Sequence, residues 1–296
     1  MEEATLFFVM DGPNFEPGAI LLSASLRWHM GETIPIEACV PNERLAKVTD
    51  LAHKVLEANR VAIRGFDAKA DWKEPYPHGN KIVAACLPRP TPASVFFDTD
   101  TICTTQLDLT RLGDPHTVMA VPEGVATWGR RERDWAPLYA EFGLDIPSER
   151  IRLTRGRRRK VLPYFNAGLV GFSQAKGHDD QTFPEVWLDT ALRLDRMAIE
   201  NRRPWLDQIA LPLAAARMGA KLDVRGASYN FSLHRRDPVD DLRVHLMHYH
   251  LPRQYRKWAQ CRAVTDYAID RCPPPQRQAL TSRLRPFIRA RQRVSS

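Results

Sequence analysis

Hydrophobic and polar positions alternate between two periods along the first third of the chain. Residues 6–10 form an unbroken apolar run that stops at Asp11, as expected of a strand covered on both faces. Gly12-Pro-Asn-Phe-Glu-Pro-Gly18 reads as a loop. From 17 to 29, Ala19, Ile20, Leu22 and Leu26 recur at helical spacing, and Pro17 suits a first helical turn. Residues 34–40 return to strand, 42–59 carry helical periodicity through Leu45, Val48, Leu51, Ala52 and Leu56, and 61–63 are strand again. Strand, helix, strand, helix predicts an α/β fold in which a parallel sheet is flanked by helices. Such sheets bind ligands at the carboxyl ends of their strands, which puts Asp11 on that rim.

Beyond 63 the order loosens. Residues 67–79 are a polar and aromatic loop, 81–87 a short helix, and 94–97 a short buried strand ending at Asp98-Thr99-Asp100. A further strand is expected at 117–121, and Asp134 is placed to cap a helix through 142. The apolar stretch 164–172 carries Asn166, Gly168 and Gly171; its small residues suit either close approach of a ligand to the backbone or a strand with a bulge. Amphipathic helices follow at 183–197 and 204–218, and a last short strand, 244–249, ends in His248-Tyr-His250.

The chemistry begins at the two carboxylates. If the chain stays extended past Phe97, Asp98 and Asp100 point to one side, because strand side chains alternate. Two carboxylates held together repel, so the site either raises one pKa or recruits a cation. A hard divalent ion such as Mg²⁺ uses one or two carboxylates and leaves positions for substrate phosphates. Asp-X-Asp thus predicts a metal and diphosphate site, the bland alternative being a solvated turn.

Composition changes this picture only at the edges. With 296 residues, 44% hydrophobic and 26% charged, the chain suits one large domain, or one domain with an appendage. No apolar run reaches the roughly 18 residues of a membrane span, and Met-Glu-Glu-Ala lacks the basic start of a secretory signal, so a soluble cytoplasmic protein is expected. Five scattered cysteines without a Cys-X-X-Cys pair predict reduced thiols. The net charge of +8 lies in the tail: from Leu251 onward, 11 arginines and lysines face only Asp266 and Asp270. That tail is expected either to meet anionic lipid through Leu280, Leu284, Phe287 and Ile288 among its arginines, or simply to be solvated. A second basic cluster, Arg155-Gly-Arg-Arg-Arg-Lys160, reads as an acceptor-binding loop or an exposed one.

Five separated pieces then line up: Asp11-Gly-Pro-Asn14-Phe15, Val95-Phe-Phe-Asp-Thr-Asp100, Phe165-Asn-Ala-Gly168, Asp207-Gln208 and Met247-His-Tyr249. In this order the chain resembles the GT-A nucleotide-sugar glycosyltransferases of glycosyltransferase family 8 type, over roughly residues 5–255. The resemblance implies a Rossmann-like mixed sheet in a domain spanning 1–250, with 251–296 as a basic helical tail. It implies that Asp98 and Asp100, around Thr99, bind Mn²⁺ or Mg²⁺ with His248; His250, on the same face of a strand, competes for that part. Asp11, Asn14 and Phe15 match the loop that holds uracil and ribose, and Lys81 matches a basic residue that reaches the donor. Asn166, Ala167 and Gly168 match donor-sugar contacts, and Asp207 and Gln208 match the catalytic pair under the sugar. Where the family has Gly-X-Lys to grip the diphosphate, this chain has His250-Leu-Pro-Arg253, with Arg253 or Lys257 as substitutes.

The expected function is metal-dependent transfer of a hexosyl group from a UDP-sugar to a hydroxyl of a glycan, lipid or protein acceptor, with retention of configuration. Nucleic acid is not an expected partner. The rival readings are nucleotidyl or phosphoryl transfer at the same aspartates, for which no Gly-X-X-X-X-Gly-Lys is present, and a non-catalytic polyanion or membrane binder.

Overall fold

In the computed structural model, which describes residues 4–177 and 179–288, the apolar runs become strands of one sheet. The first half comprises β1 (Ala4–Val9), α1 (Glu16–Met30), β2 (Ile36–Pro41), α2 (Asn42–Leu45), α3 (Asp50–Ala58), β3 (Val61–Phe66), α4 (Asn80–Ala85), β4 (Ala93–Phe97), β5 (Thr101–Cys103), β6 (Thr117–Pro122) and α5 (Glu132–Glu141). Then come β7 (Ile151–Arg152), β8 (Lys160–Val161), β9 (Phe165–Ser173), α6 (Phe183–Arg196), α7 (Leu206–Met218), β10 (Lys221–Val224), β11 (Phe231–Ser232) and β12 (Leu246–His248). Helices α8 (Pro252–Tyr255), α9 (Ala259–Arg271) and α10 (Arg277–Arg283) close the described chain.

Seven strands form a mixed sheet in the order β10-β6-β9-β4-β1-β2-β3, in which β9 alone runs against its neighbours. Strand periodicity divides the interior in two. Leu6, Phe8, Val95 and Phe97 enter the core beneath α1, α3 and α9, while Phe7, Phe96, Val118 and Val170 enter the core beneath α4, α6 and α7. Burial on both faces is why these strands read as continuous apolar runs rather than alternating ones. A small second sheet, β11-β12-β5, pairs β12 antiparallel with β5 and sets His248 opposite Thr101.

Three expectations change. The helix expected over 42–59 is broken into α2 and α3. Thr49 caps α3 by accepting from the Ala52 N–H, and its own N–H and hydroxyl bond to Glu16 at 2.8 and 3.0 Å, so a buried carboxylate of α1 fixes the break. The chain is not extended past Phe97: the N–H and hydroxyl of Thr101 both return to the Asp98 carbonyl, at 3.2 and 2.7 Å, closing a turn. Alternation therefore does not bring the two aspartates together. Finally, Leu280, Leu284 and Phe287 are buried in the core shared with α1, with Ile288 packed on it, rather than presented to a lipid surface.

The apolar and basic residues of 251–288 separate by face, as amphipathic helices require. Two arginines tie the segment back: Arg271 to Glu32 at 2.6 Å and Arg283 to Glu16 at 3.7 Å. Residues 289–296 of the expected tail lie outside the described residues. Among the described residues no helix is long and apolar enough to cross a membrane, and all five cysteines are free thiols.

Candidate active site

The Asp98–Asp100 turn is clamped from both sides. The Asp98 N–H still donates to the Gly168 carbonyl of β9 at 2.9 Å, holding the turn against the sheet. On the other side α1 comes so close that a Cβ on Gly18 would stand 2.5 Å from the Thr99 carbonyl oxygen, so only glycine permits this packing. The Tyr249 hydroxyl donates to the Thr99 carbonyl at 3.1 Å and the Tyr249 N–H to the Asp100 carbonyl at 3.0 Å. These bonds dock the end of β12 onto the turn and deliver histidines from 150 residues away in sequence.

Asp100, His248 and His250 converge, with one potential ligand atom from each within 4.8 Å of the others. His248 Nε2 lies 3.1 Å and His250 Nδ1 3.8 Å from the two Asp100 oxygens. Both rings are held by their other nitrogens. A chain of hydrogen bonds runs from Glu123 Oε2 to Asn166 Nδ2 (2.9 Å), from Asn166 Oδ1 to Asn230 Nδ2 (2.7 Å), and from Asn230 Oδ1 to His248 Nδ1 (3.0 Å). Glu123 can only accept and the Gly168 N–H, also bonded to Asn166 Oδ1 at 2.9 Å, can only donate, so the amides are oriented at one end of the chain. His248 therefore carries a proton on Nδ1, which leaves Nε2 as the nitrogen turned toward Asp100, and a ring oriented through its far nitrogen is how ligating histidines are commonly prepared. The Ser232 hydroxyl meets His250 Nε2 at 2.9 Å and leaves Nδ1 facing Asp100.

Burial works against charge on His248, but Asp100 outweighs it and raises the ring above the usual imidazole range, so Nε2 and Asp100 share a proton that a bound cation would displace. Burial works against charge on Asp100, but His248 outweighs it and holds the carboxyl down to about 2. Burial and the neighbouring His248 push His250 down to about 4, so its ring is neutral. Asp98 is raised, mainly by burial and further by Asp100, against the pull of Lys81. A carboxylate with two imidazoles suits a divalent ion of the Mn²⁺ type, and the donor set fits one. Asp98 contributes at the margin: its Oδ2 and His248 Cε1 come within 3.0 and 3.1 Å of the position a Cβ on Gly168 would take, so both crowd over that glycine.

Lys81 holds the other half of the site. Its buried ammonium lies 3.0 Å from Asp98 Oδ1 and 3.2 Å from Asp207 Oδ2, and donates to the Ala167 carbonyl at 3.2 Å. Its three donors are thus engaged. Asp207 is equally occupied, since Oδ1 accepts from the Tyr76 hydroxyl at 2.9 Å. Gln208 differs: it is 7% exposed, and its Oε1 is buried without a hydrogen-bond partner among the described residues.

Two hollows meet here. A cleft of about 530 Å³ is lined by Asp98, Asp100, Asn166, Asp207, Gln208 and His248, and a smaller hollow of about 210 Å³ by Asp11, Phe15, Lys81, Asp98 and Thr99. His78, Lys81 and Asp98 belong to both. The expected site residues are therefore brought together, apart from two groups. Asn14 is exposed and lines neither hollow, and Arg253 and Lys257 stand exposed on and just after α8, outside both linings. The turn at His250, whose φ is 57°, carries the chain away from the cleft before Arg253 is reached.

Glu123, Asn230, Tyr76 and His78 were not singled out by sequence reasoning. Asn230 precedes a two-residue strand and Tyr76 sits in an irregular loop, so no periodicity marks either. For Glu123, the position just past the end of β6, on the ligand-binding rim of the sheet, was the available signal.

Among similar solved structures is WbbM, a bifunctional glycosyltransferase in its apo form, with a TM-score of 0.60 and 17% identity over 95% of this chain and 52% of that one. This chain thus spans about half the length of the WbbM chain. The galactosyltransferase LgtC, solved in complex with donor and acceptor sugar analogues, aligns with a TM-score of 0.52 and 14% identity over 93% of this chain and 99% of that one. An active-site mutant of LgtC aligns with a TM-score of 0.51 and 13% identity, over 92% and 99% of the two chains. At such identities the likeness shows the fold, which is that of the GT-A glycosyltransferases. A search of curated protein sequences finds no match. The sequence pattern of the Rhodobacterales glycosyltransferase domain matches residues 6–219, a span that holds the clamped aspartates, Lys81, Asn166, Asp207 and Gln208, and the chain belongs to that family.

Proposed function

We propose that this protein transfers a hexosyl group from a UDP-sugar to a hydroxyl of a glycan, lipid or protein acceptor, using Mn²⁺ or Mg²⁺ held by Asp98, Asp100 and His248, with retention of anomeric configuration. The carrying observation is the convergence of Asp100 with His248 and His250 at a cleft that joins the Asp11 and Phe15 hollow through His78, Lys81 and Asp98. The bound ion would neutralise the departing diphosphate as a Lewis acid.

The residues around it have distinct tasks. In the smaller hollow the Phe15 ring, 43% exposed, offers a face for a base to stack on, and the Asp11 carboxylate can accept from a base N–H. Lys81 keeps Asp98 and Asp207 in register, and it reaches a donor only by releasing one of those partners. Asp207, held at both oxygens, acts as a positioning group in this arrangement. The unengaged Gln208 oxygen is the better candidate to meet the sugar at its reacting carbon. Arg253 and Lys257 meet the diphosphate only if α8 moves. The reaction is placed in the cytoplasm, and contact with anionic lipid would rest on the exposed Arg262, Arg277 and Arg285.

The test is a screen of nucleotide sugars for UDP release with Mn²⁺. Release from one donor, lost in the Asp98→Asn/Asp100→Asn double variant together with bound Mn²⁺ measured by electron paramagnetic resonance, is the expected result. Full activity in that variant would sink the reading. Consumption of a nucleoside triphosphate with release of pyrophosphate would favour nucleotidyl transfer instead. Flotation of the full chain with anionic vesicles decides the lipid contact separately.

A further inference from the structure

The candidate active-site cleft is rich in carboxylates, yet one wall of it borders a hollow of opposite sign. This third hollow, about 320 Å³, is lined by Arg130, Arg155, Arg157 and Arg159 together with apolar groups that include Val125 and Val161, and among the described residues no acidic one contributes to it. Val125 and Arg155 line both spaces, so the two are adjacent.

The loop that carries three of these four arginines, Arg155, Arg157 and Arg159, is built into the site. It connects β7 to β8, and it is tied to the end of β6 by the Thr154 N–H on the Glu123 carbonyl and the Arg155 N–H on the Gly124 carbonyl, each at 3.0 Å. Glu123 is the residue whose side chain starts the hydrogen-bond chain to His248. The Arg155 guanidinium reaches across the cleft mouth to the His234 carbonyl at 2.7 Å and the Ser232 hydroxyl at 3.3 Å. Arg157 and Arg159 are exposed and, among the described residues, pair with no carboxylate. The charge of the same loop is felt nearby: Arg236 is pushed down by burial and then by Arg155 and Arg158. Four guanidinium groups around one hollow without a counter-ion repel each other, and an anion seated there relieves that repulsion. Guanidinium groups suit it well, because they meet a phosphate or carboxylate through two parallel hydrogen bonds.

We propose that the acceptor is anionic: a glycan bearing a phosphate or a carboxylate, which seats that group among Arg130, Arg155, Arg157 and Arg159 while its hydroxyl enters the neighbouring cleft. Val125, 51% exposed between the two spaces, offers the apolar ledge over which a sugar ring would lie. The assignment rests on the transferase reading, and it is what the sugar-binding cleft itself would not reveal.

The test compares three acceptors with the full chain: a neutral trisaccharide, the same trisaccharide with a glucuronic acid residue, and the same with a 6-phosphate. Each is titrated calorimetrically without donor and then assayed for transfer, alongside acceptor-independent UDP release. One or both anionic forms should bind roughly tenfold or more tightly than the neutral one, as charge-assisted hydrogen bonds predict, and the stronger arm identifies phosphate or carboxylate. The variant Arg157→Gln/Arg159→Gln should raise the acceptor KM about tenfold, leaving kcat, donor KM and UDP release unchanged, with partial rescue in Arg157→Lys/Arg159→Lys. Equal binding of all three glycans, or an unchanged acceptor KM in a folded Gln variant, overturns the proposal. Absence of UDP release from every donor would strike the transferase reading alone, since the titrations decide anion binding without it.

Discussion

Around Asp98 the protein closes the contacts of a carboxylate with a fixed cation of its own, whereas around Asp100 it leaves them open to titratable imidazoles. Asp98 shares Lys81 with Asp207, and Lys81 has no donor left over. Asp100 faces instead two imidazoles, whose far nitrogens are already held by Asn230 and Ser232. Two identical side chains two positions apart thus serve different purposes. One knits α4, β4 and α7 together through Lys81, and the other joins the turn to the imidazoles at the end of β12. Sequence spacing does not tell a carboxylate tied to a fixed charge from one tied to titratable groups.

The sharpest way to break the comparison is to neutralise each carboxylate alone. Asp100→Asn should abolish Mn²⁺ binding and lower UDP release by about 10³-fold or more, the scale of several kcal/mol of leaving-group stabilisation. Asp98→Asn should weaken Mn²⁺ binding less than Asp100→Asn does, because one of its oxygens is taken by Lys81. Equal loss of Mn²⁺ affinity, read by electron paramagnetic resonance, would show that the two carboxylates share one role.

Removing the shared cation comes next. Lys81→Met leaves two buried or half-buried carboxylates without their shared cation, and should cost about 3–5 kcal/mol of stability, as breaking a buried pair typically does. Denaturant unfolding measures it. Adding Asp207→Asn to Lys81→Met should restore part of the loss, whereas a loss equal to the sum of the single effects would mean that the pair is not coupled.

Much of this arrangement was legible in the chain, and the rest fails for identifiable reasons. The strands β1 to β4 and β6, the helices α1, α6 and α7, and Asp11, Asp98 and Asn166 at strand ends or beside them follow from periodicity, because a sheet buried on both faces writes itself as apolar runs. The turn at Asp98 was not legible: Thr101 closes it with its hydroxyl, a contact that no repeat period signals. Asn230 and His250 flank strands of two and three residues whose shape is set by partners far along the chain, and pattern reading sees only neighbours. The tail misled for another reason. Arginines dominate its composition, yet the leucines and the phenylalanine between them turn inward, and composition carries no face.

The open half of the comparison depends on its support as well as its ligands. Asn230→Ala frees His248 Nδ1 and should weaken Mn²⁺ binding about 10–100-fold, the usual consequence of losing an orienting partner, with little change in unfolding free energy. Gly168→Ala should act on the same ion from another direction, since the added methyl group would meet Asn166 Oδ1, Asp98 Oδ2 and His248 Cε1 at 2.8 to 3.1 Å. Should either variant bind Mn²⁺ as the parent does, the ring of His248 is not positioned by this network.

The smallest effect is expected at the far end of the hydrogen-bond chain, and it separates geometry from charge. Glu123→Gln keeps an oxygen that can accept from Asn166 Nδ2, now 2.9 Å from the carboxylate, so the amides and His248 should retain their orientation. What changes is the strength of one charge-assisted bond, roughly 1 kcal/mol by the difference between charged and neutral hydrogen bonds, or about fivefold in Mn²⁺ affinity. Glu123→Ala removes the acceptor altogether and should fall with Asn230→Ala instead. If Gln and Ala at this position weaken the ion equally, the negative charge of Glu123 rather than its hydrogen bond prepares the imidazole. The open half of the site would then be electrostatic in origin, as the closed half already is.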